Sequence, residues 1–201
     1  MTAAAGSSRT LARVGIVGRG RVGTCLAARL REAGYEVDGP AGRGEVPEGD
    51  ALLLCVPDGE IETAAADVPA AVPFVGHTSG ATPVSVLGRD GAFGLHPLQT
   101  ITGADTRLEG VGCGVAGAPV ARELAEALGM EPFELHDEQR AAYHAAASIA
   151  SNYLLALEAT AEAVAAGAGI APDQARRLLG PLVRRTVENW VAHGPEKALT
   201  G

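Results

Sequence analysis

The stretch Arg13-Val14-Gly15-Ile16-Val17-Gly18-Arg19-Gly20-Arg21-Val22-Gly23 decides the fold. Val14 to Val17 is a short apolar run, the pattern of a strand buried in a sheet. Three glycines follow, spaced Gly-x-Gly-x-x-Gly. Directly after them Val22, Leu26, Ala27 and Leu30 recur at helical intervals, and Gly34 supplies a helix stop. Working outward, the punctuation repeats. Tyr35–Asp38 and the unbroken Ala51–Val56 read as further strands, the latter in the manner of a parallel strand covered on both faces. Gly59–Ala66 reads as a short helix, Pro73–Gly76 as a strand, Pro83–Leu87 as a helical turn, and Ala92–Leu95 as a strand. Val111–Val115, a helix over Val120–Leu128 closed by Gly129, and a last strand over Glu131–Leu135 complete the series. This alternation predicts an α/β protein with a doubly wound, mostly parallel sheet and right-handed crossovers. Beyond His136 the character changes. Glu138–Ala166 holds neither Pro nor Gly and reads as one long helix, Gly167-Ala168-Gly169 breaks it, and Pro172–Ala192 reads as another. The expected organisation is a tail over residues 1–12, a sheet domain over 13–136 and a smaller all-helical domain over 137–201.

Composition narrows the function classes. The 201 residues carry 16 Lys and Arg against 24 Asp and Glu, a net charge of −8, which argues against nucleic acid or an anionic membrane as partner. Aromatics are only 3% of the chain, so the core must be built from Val, Leu, Ile and Ala. Cys25, Cys55 and Cys113 are far apart, and none has metal-ligand spacing. Cys25 and Cys55 lie in apolar segments and read as small buried thiols, and no metal is expected. No apolar run approaches the roughly 18–20 residues that span a bilayer. Met1 to Arg13 lacks the apolar stretch of a signal peptide, so a reducing cytoplasm is the default location.

The glycine loop points to a dinucleotide. A first glycine permits the tight turn, a second lets a pyrophosphate approach the backbone, and a third lets helix and strand pack closely. The helix start then offers free N–H groups and a positive dipole end to the phosphates. Asp38 lies twenty residues past Gly18, where an acid would bind ribose hydroxyls. Arg43, however, follows in the loop expected to face the ribose, and a guanidinium suits a 2′-phosphate, with Arg19 assisting. The expected cofactor is therefore NADP(H), held by Gly18, Arg19, Gly20, Arg21, Val22, Gly23 and Arg43, with Cys55, Val56, Pro57, Thr78 and Ser79 beyond the next strand ends.

Candidate reacting groups lie in three clusters: His77-Thr78-Ser79-Gly80 after the fourth strand, His96-Pro97-Leu98-Gln99 after the fifth, and His144 with Ser148, Ser151 and Asn152 on the long helix. The steps from 144 to 148, 151 and 152 put those four polar groups on one helical stripe. An imidazole suits proton transfer near neutrality. His96 is the first candidate for it and His144 the second. Asn152 would orient a substrate carbonyl or carboxylate, and Ser79 would donate to substrate or to the nicotinamide amide. His77 reads equally as a loop residue, and His136 and His193 read as surface histidines.

Together Gly18–Gly23, Cys55-Val-Pro-Asp58, His77–Ala81, Gly94-Leu-His-Pro-Leu-Gln99 and Ser151-Asn152 resemble the Rossmann-like, DUF2520-containing oxidoreductases, from about Arg13 onward. That family is related to 6-phosphogluconate dehydrogenase-like enzymes, among them pyrroline-5-carboxylate reductases, ketopantoate reductases and prephenate dehydrogenases. The resemblance implies an NADP-binding domain, a helical domain that dimerises, and reduction of a small 2-oxo acid, with ketopantoate as the best single substrate. The alternatives are reduction of a cyclic imine and a regulatory dinucleotide-binding protein without turnover. His96-Pro97 also looks like the His-Pro of prephenate dehydrogenases, whose His contacts the reacting hydroxyl. Four residues before Asn152, where 2-hydroxyacid and ketopantoate relatives carry a catalytic Lys, this chain has Ser148. The family normally continues with helices beyond Gly201, so the resemblance also implies a shortened helical domain.

Overall fold

The computed structural model describes residues 10–198. Seven strands form one sheet: β1 (Arg13–Val17), β2 (Glu36–Ala41), β3 (Ala51–Leu54), β4 (Phe74–His77), β5 (Ala92–Pro97), β6 (Gly112–Gly117) and β7 (Glu131–Glu134). Their spatial order is β2-β1-β3-β4-β5-β6-β7. The first five run parallel. β6 lies antiparallel to β5 and β7 parallel to β6. β1 has β2 on one side and β3 on the other. The connections therefore leave it in opposite directions and open a crevice at the carboxyl end of β1, where open α/β sheets bind ligands.

Helices cover both faces. α1 (Arg21–Glu32) and α3 (Val120–Ala127) lie over one, and α2 (Ile61–Ala66) with a 3-10 turn at Val84–Leu87 lies over the other. The period of two along β3 sorts the core. Ala51 and Leu53 belong to the cluster that includes Leu26, Leu30 and Leu124, whereas Leu52 and Leu54 belong to the one with Ile61, Val75 and Leu87. All four β3 residues are fully buried, which is why that run shows no polar alternation.

Three details differ from the sequence reading. β2 runs to Ala41, three residues past Asp38, so Asp38 is not at the strand end. Its Oδ2 accepts the Glu48 N–H at 2.8 Å and fastens the loop before β3. The β2–β3 connection carries no helix, so the alternation is incomplete there. Leu11, expected in the tail, is 2% exposed, and the Glu123 carboxylate accepts the Thr10 N–H at 3.1 Å. The rest of that tail, residues 1–9, lies outside the described residues.

The chain divides into two compact units between Ala147 and Ser148. α4 (Arg140–Ser148), preceded by a 3-10 turn at Asp137–Gln139, has all but its last residue in the sheet unit. The second unit holds α5 (Leu154–Gly167), α6 (Pro172–His193) and the short α7 (Pro195–Ala198), with Arg176 bound bidentately to Glu162 between α5 and α6. Residues Ile149–Tyr153 are wound as a π-turn where an uninterrupted α-helix was expected. The extra residue per turn breaks the three- and four-residue spacing that put Ser151 and Asn152 on the His144 stripe.

Candidate functional site

The crevice at the end of β1 is a cleft of about 400 Å³ in the sheet unit. Its floor is the glycine loop. Gly18 has φ +113°, and a Cβ there would come 2.2 Å from the Cys55 carbonyl oxygen. A Cβ on Gly23 would come 1.9 Å from the Gly18 carbonyl oxygen, so α1 can start only this close to β1 with glycine at that position. Gly20 differs: nothing lies within 4 Å of where its Cβ would stand. It is the N-cap of α1, no side chain caps that helix, and no acidic residue occupies its first turn. An open backbone at an uncapped, uncompensated helix start fits a pyrophosphate.

Gly18, Arg19, Gly20, Arg43, Cys55, Val56 and Pro57 all line this cleft. Val22 instead packs against the core, and Arg21 is exposed at the first helical position. The Thr78 N–H donates to the Leu54 carbonyl at 3.2 Å, continuing the β3–β4 ladder. Desolvation pushes the Cys55 and Cys113 thiols up to about 12, so neither is a nucleophile at neutral pH.

Two acids in the cleft were missed by sequence reasoning. Arg19 Nη2 donates to Glu45 Oε2 at 2.6 Å, and the same oxygen accepts the Gly42 N–H at 2.7 Å. Arg43 Nη2 donates to Glu60 Oε1 at 2.5 Å. Arg19 and Arg43 therefore each already have a carboxylate partner. Glu45 lies only four residues past Ala41 and could have been found by asking where β2 ends; Glu60 comes from the turn after β3 and has no local signal.

A second cluster sits at the ends of β4 and β5. His77, Gly94 and His96 share one sheet face, because His77 pairs with Gly94 in register and His96 lies two residues on. Arg140, 1% exposed, fills the space over Gly94, where a Cβ would lie 2.7 Å from its Nη2. Its Nε donates to Asp137 Oδ1 at 3.0 Å and its Nη1 to the Ser79 carbonyl at 3.0 Å, while Nη2 is buried with no partner among the described residues. Asp137 also accepts the N–H groups of Val84 and Ser85, which holds its carboxyl below the usual range although desolvation acts the other way.

This network fixes the loop after β4. His77 Nδ1 accepts the Ser79 N–H at 3.2 Å, and its Nε2 faces the Pro83 carbonyl at 3.4 Å. Burial, with the Arg140 charge nearby, lowers His77 to about 4. The Ser79 hydroxyl accepts the N–H groups of Ala81 and Thr82 and lies 3.0 Å from the Thr82 hydroxyl. The Ser79 O–H is engaged with the Thr82 hydroxyl, and donation to a ligand would first have to break that contact.

His96 is the half-buried member of the cluster. Its Nδ1 lies 2.7 Å from the Tyr143 hydroxyl. Burial first, then the neighbouring His144 and Arg140 charges, lowers it to about 4. At neutral pH it is therefore an uncharged imidazole rather than the near-neutral titrating group expected. Tyr143 was missed, as were Arg140 and Asp137. Their spacing was the available signal, since 137, 140 and 143 are three residues apart at a helix start and share one face. His144 is exposed next to Tyr143, and Asn152 is exposed in the π-turn of the second unit. His136 and His193 are exposed. Among the described residues, no three His, Cys, Asp or Glu gather as a metal site. No helix there is long and apolar enough to cross a membrane.

Residues 110–201 match the family model described as Domain of unknown function (DUF2520). The match covers just under half of the chain, and the sheet that precedes and enters it is Rossmann-like. That match begins just before β6 and so includes Asp137, Arg140 and Tyr143 as well as the helical unit. Comparison with curated proteins gives no match. Among solved structures, protein TM1727 from Thermotoga maritima superposes with a TM-score of 0.76 at 22% identity, covering 94% of this chain and 82% of that one. A Bacteroides fragilis protein, provisionally described as an NADP oxidoreductase, gives 0.73 at 17%, covering 94% and 84%. The Plasmodium falciparum pyrroline carboxylate reductase with NADP bound gives 0.64 at 10%, covering 89% and 78%. Identities this low establish the shared fold.

Proposed function

We propose that this protein is an NADPH-dependent oxidoreductase that reduces the carbonyl of a small 2-oxo acid, with ketopantoate as the best single substrate. The observation that carries the reading is the open Gly20 backbone at the bare start of α1, in one cleft with Arg19 and Arg43. The NADP-linked names of the Bacteroides and Plasmodium neighbours support the same cofactor.

NADPH, when bound, supplies the hydride. The chain supplies the rest. The glycine loop and α1 hold the pyrophosphate. Arg19 and Arg43 take the 2′-phosphate by exchanging Glu45 and Glu60 for it. His96, neutral and half-buried, donates a hydrogen bond from its N–H to the carbonyl oxygen and stabilises the charge that develops there, and the alkoxide takes its proton from water. His144, beside Tyr143 on α4, orients the substrate carboxylate. The helical unit pairs with a second copy of the chain: Leu155, Leu157, Val164, Leu182 and Trp190 are each more than half exposed, a surface too apolar to face water alone.

A second reading, reduction of a cyclic imine, is favoured by Ser148 in place of a lysine and by the pyrroline carboxylate reductase neighbour. Loss of NADPH absorbance with the purified chain, on ketopantoate beside a panel of 2-oxo acids and cyclic imines, separates the readings. Turnover on an oxo acid supports the first. Turnover on imines alone replaces it with the second, and tight NADPH binding without turnover on any substrate leaves a regulatory protein.

A further inference from the structure

We propose that Tyr143 is a positioning residue that holds His96 as the tautomer protonated on Nε2, so that the site presents a neutral N–H donor to an oxygen and disfavours a protonated imine. This rests on the reading of His96 as the group that meets the substrate. The Tyr143 hydroxyl is 2.7 Å from His96 Nδ1, and the two rings meet edge-on, 5.4 Å between centroids at 87°. Phe133 supports the tyrosine ring from another side, at 5.8 Å and 62°. The pair is therefore held in place.

Proton bookkeeping then selects the tautomer. A neutral imidazole has one N–H and one lone pair to share between its two nitrogens. Burial pushes the Tyr143 hydroxyl up to about 12, so it keeps its proton in neutral solution. If Nδ1–H donated to the tyrosine oxygen, the phenolic proton would need another acceptor. Neither the Tyr143 hydroxyl nor His96 Nε2 has another hydrogen-bond partner among the described residues; the substrate oxygen proposed to meet Nε2 needs a donor there, so the ring proton belongs on Nε2 and the Tyr143 O–H donates to Nδ1. Double protonation is opposed first by burial, then by a charge on His144 and by the Arg140 guanidinium.

Nε2 itself lies against Gly80, where a Cβ would come within 2.8 Å; glycine keeps that side of the ring clear. A carbonyl or alkoxide oxygen has lone pairs for such a donor. An iminium N–H has none and would meet donor with donor.

The test is long-range proton–nitrogen NMR of the histidine rings in the purified chain near pH 7.5, with His96 assigned by loss of its signals in His96→Gln. The expected result is one dominant tautomer with the proton on Nε2, shifting to a mixture of both in Tyr143→Phe. A wild-type proton on Nδ1, or unchanged populations in Tyr143→Phe, overturns the proposal. His77, whose Nδ1 accepts the Ser79 N–H, is the internal control for an intact fold. If its signals also move, the wild-type tautomer alone decides. Failure of the proposed reductase activity would leave this spectrum unchanged, so the two failures are distinguishable.

Discussion

The two units carry similar proportions of apolar residues and use them in opposite ways. In the sheet unit every residue of β3 is fully buried and α1 buries five residues. In the helical unit α5 buries none and the 22-residue α6 buries only Ala175. A sheet flanked by helices closes its own core on both faces. Two neighbouring helices cannot, because each has apolar residues outside the strip that meets the other. The first unit therefore closes its own core, whereas the second leaves Leu155, Leu157, Leu182 and Trp190 exposed.

The largest effects that would break this contrast concern stability. Leu53→Ala, in a site 0% exposed, should lower the unfolding free energy by about 3 kcal/mol in urea titrations. A loss below about 1 kcal/mol would mean that the core is not as closed as described. Next comes pH. His77 and His96 are both lowered from 6.5 to about 4 in the folded chain. The unfolded chain therefore takes up protons first as pH falls. Stability should be full above about pH 6.5 and decline progressively down to about pH 4, and His77→Gln should flatten that slope. A flat profile across the window would show both rings to be solvated.

Arg43→Ala sharpens the comparison from the ligand side. NADPH affinity should fall about tenfold, roughly the 1.4 kcal/mol of one charge-assisted contact, with NADH affinity nearly unchanged. Equal losses for both would remove the 2′-phosphate assignment. The smallest effect belongs to the second unit. Leu182→Ala, at a site 63% exposed, should change unfolding free energy by less than about 0.5 kcal/mol at low concentration. The same change should weaken self-association in analytical ultracentrifugation, and a variant that associates like the wild type would discard the homodimer.

Legibility followed locality. The Gly18–Gly23 loop and the Ala51–Val56 run could be read because each is a contiguous signal with a single physical use. Asp38 misled because distance along the chain was taken for position at the strand end, and β2 runs three residues further. Glu45, Glu60, Arg140 and Tyr143 were missed because each acts on a partner far along the chain, as Tyr143 does on His96, 47 residues away. The π-turn at Ile149–Tyr153 has no Pro or Gly to announce it, so helical arithmetic ran straight through it.

The most direct test of the account is NADPH binding to the purified chain and to Gly20→Asp by calorimetry. Because nothing lies within 4 Å of that Cβ position, the substitution should leave the melting temperature within a few degrees. It also puts a carboxylate where the pyrophosphate belongs. One NADPH per wild-type chain, with affinity reduced at least a hundredfold in Gly20→Asp, is the expected result. Equal binding by both proteins, or none by the wild type, would contradict the assignment of this cleft to a nicotinamide dinucleotide.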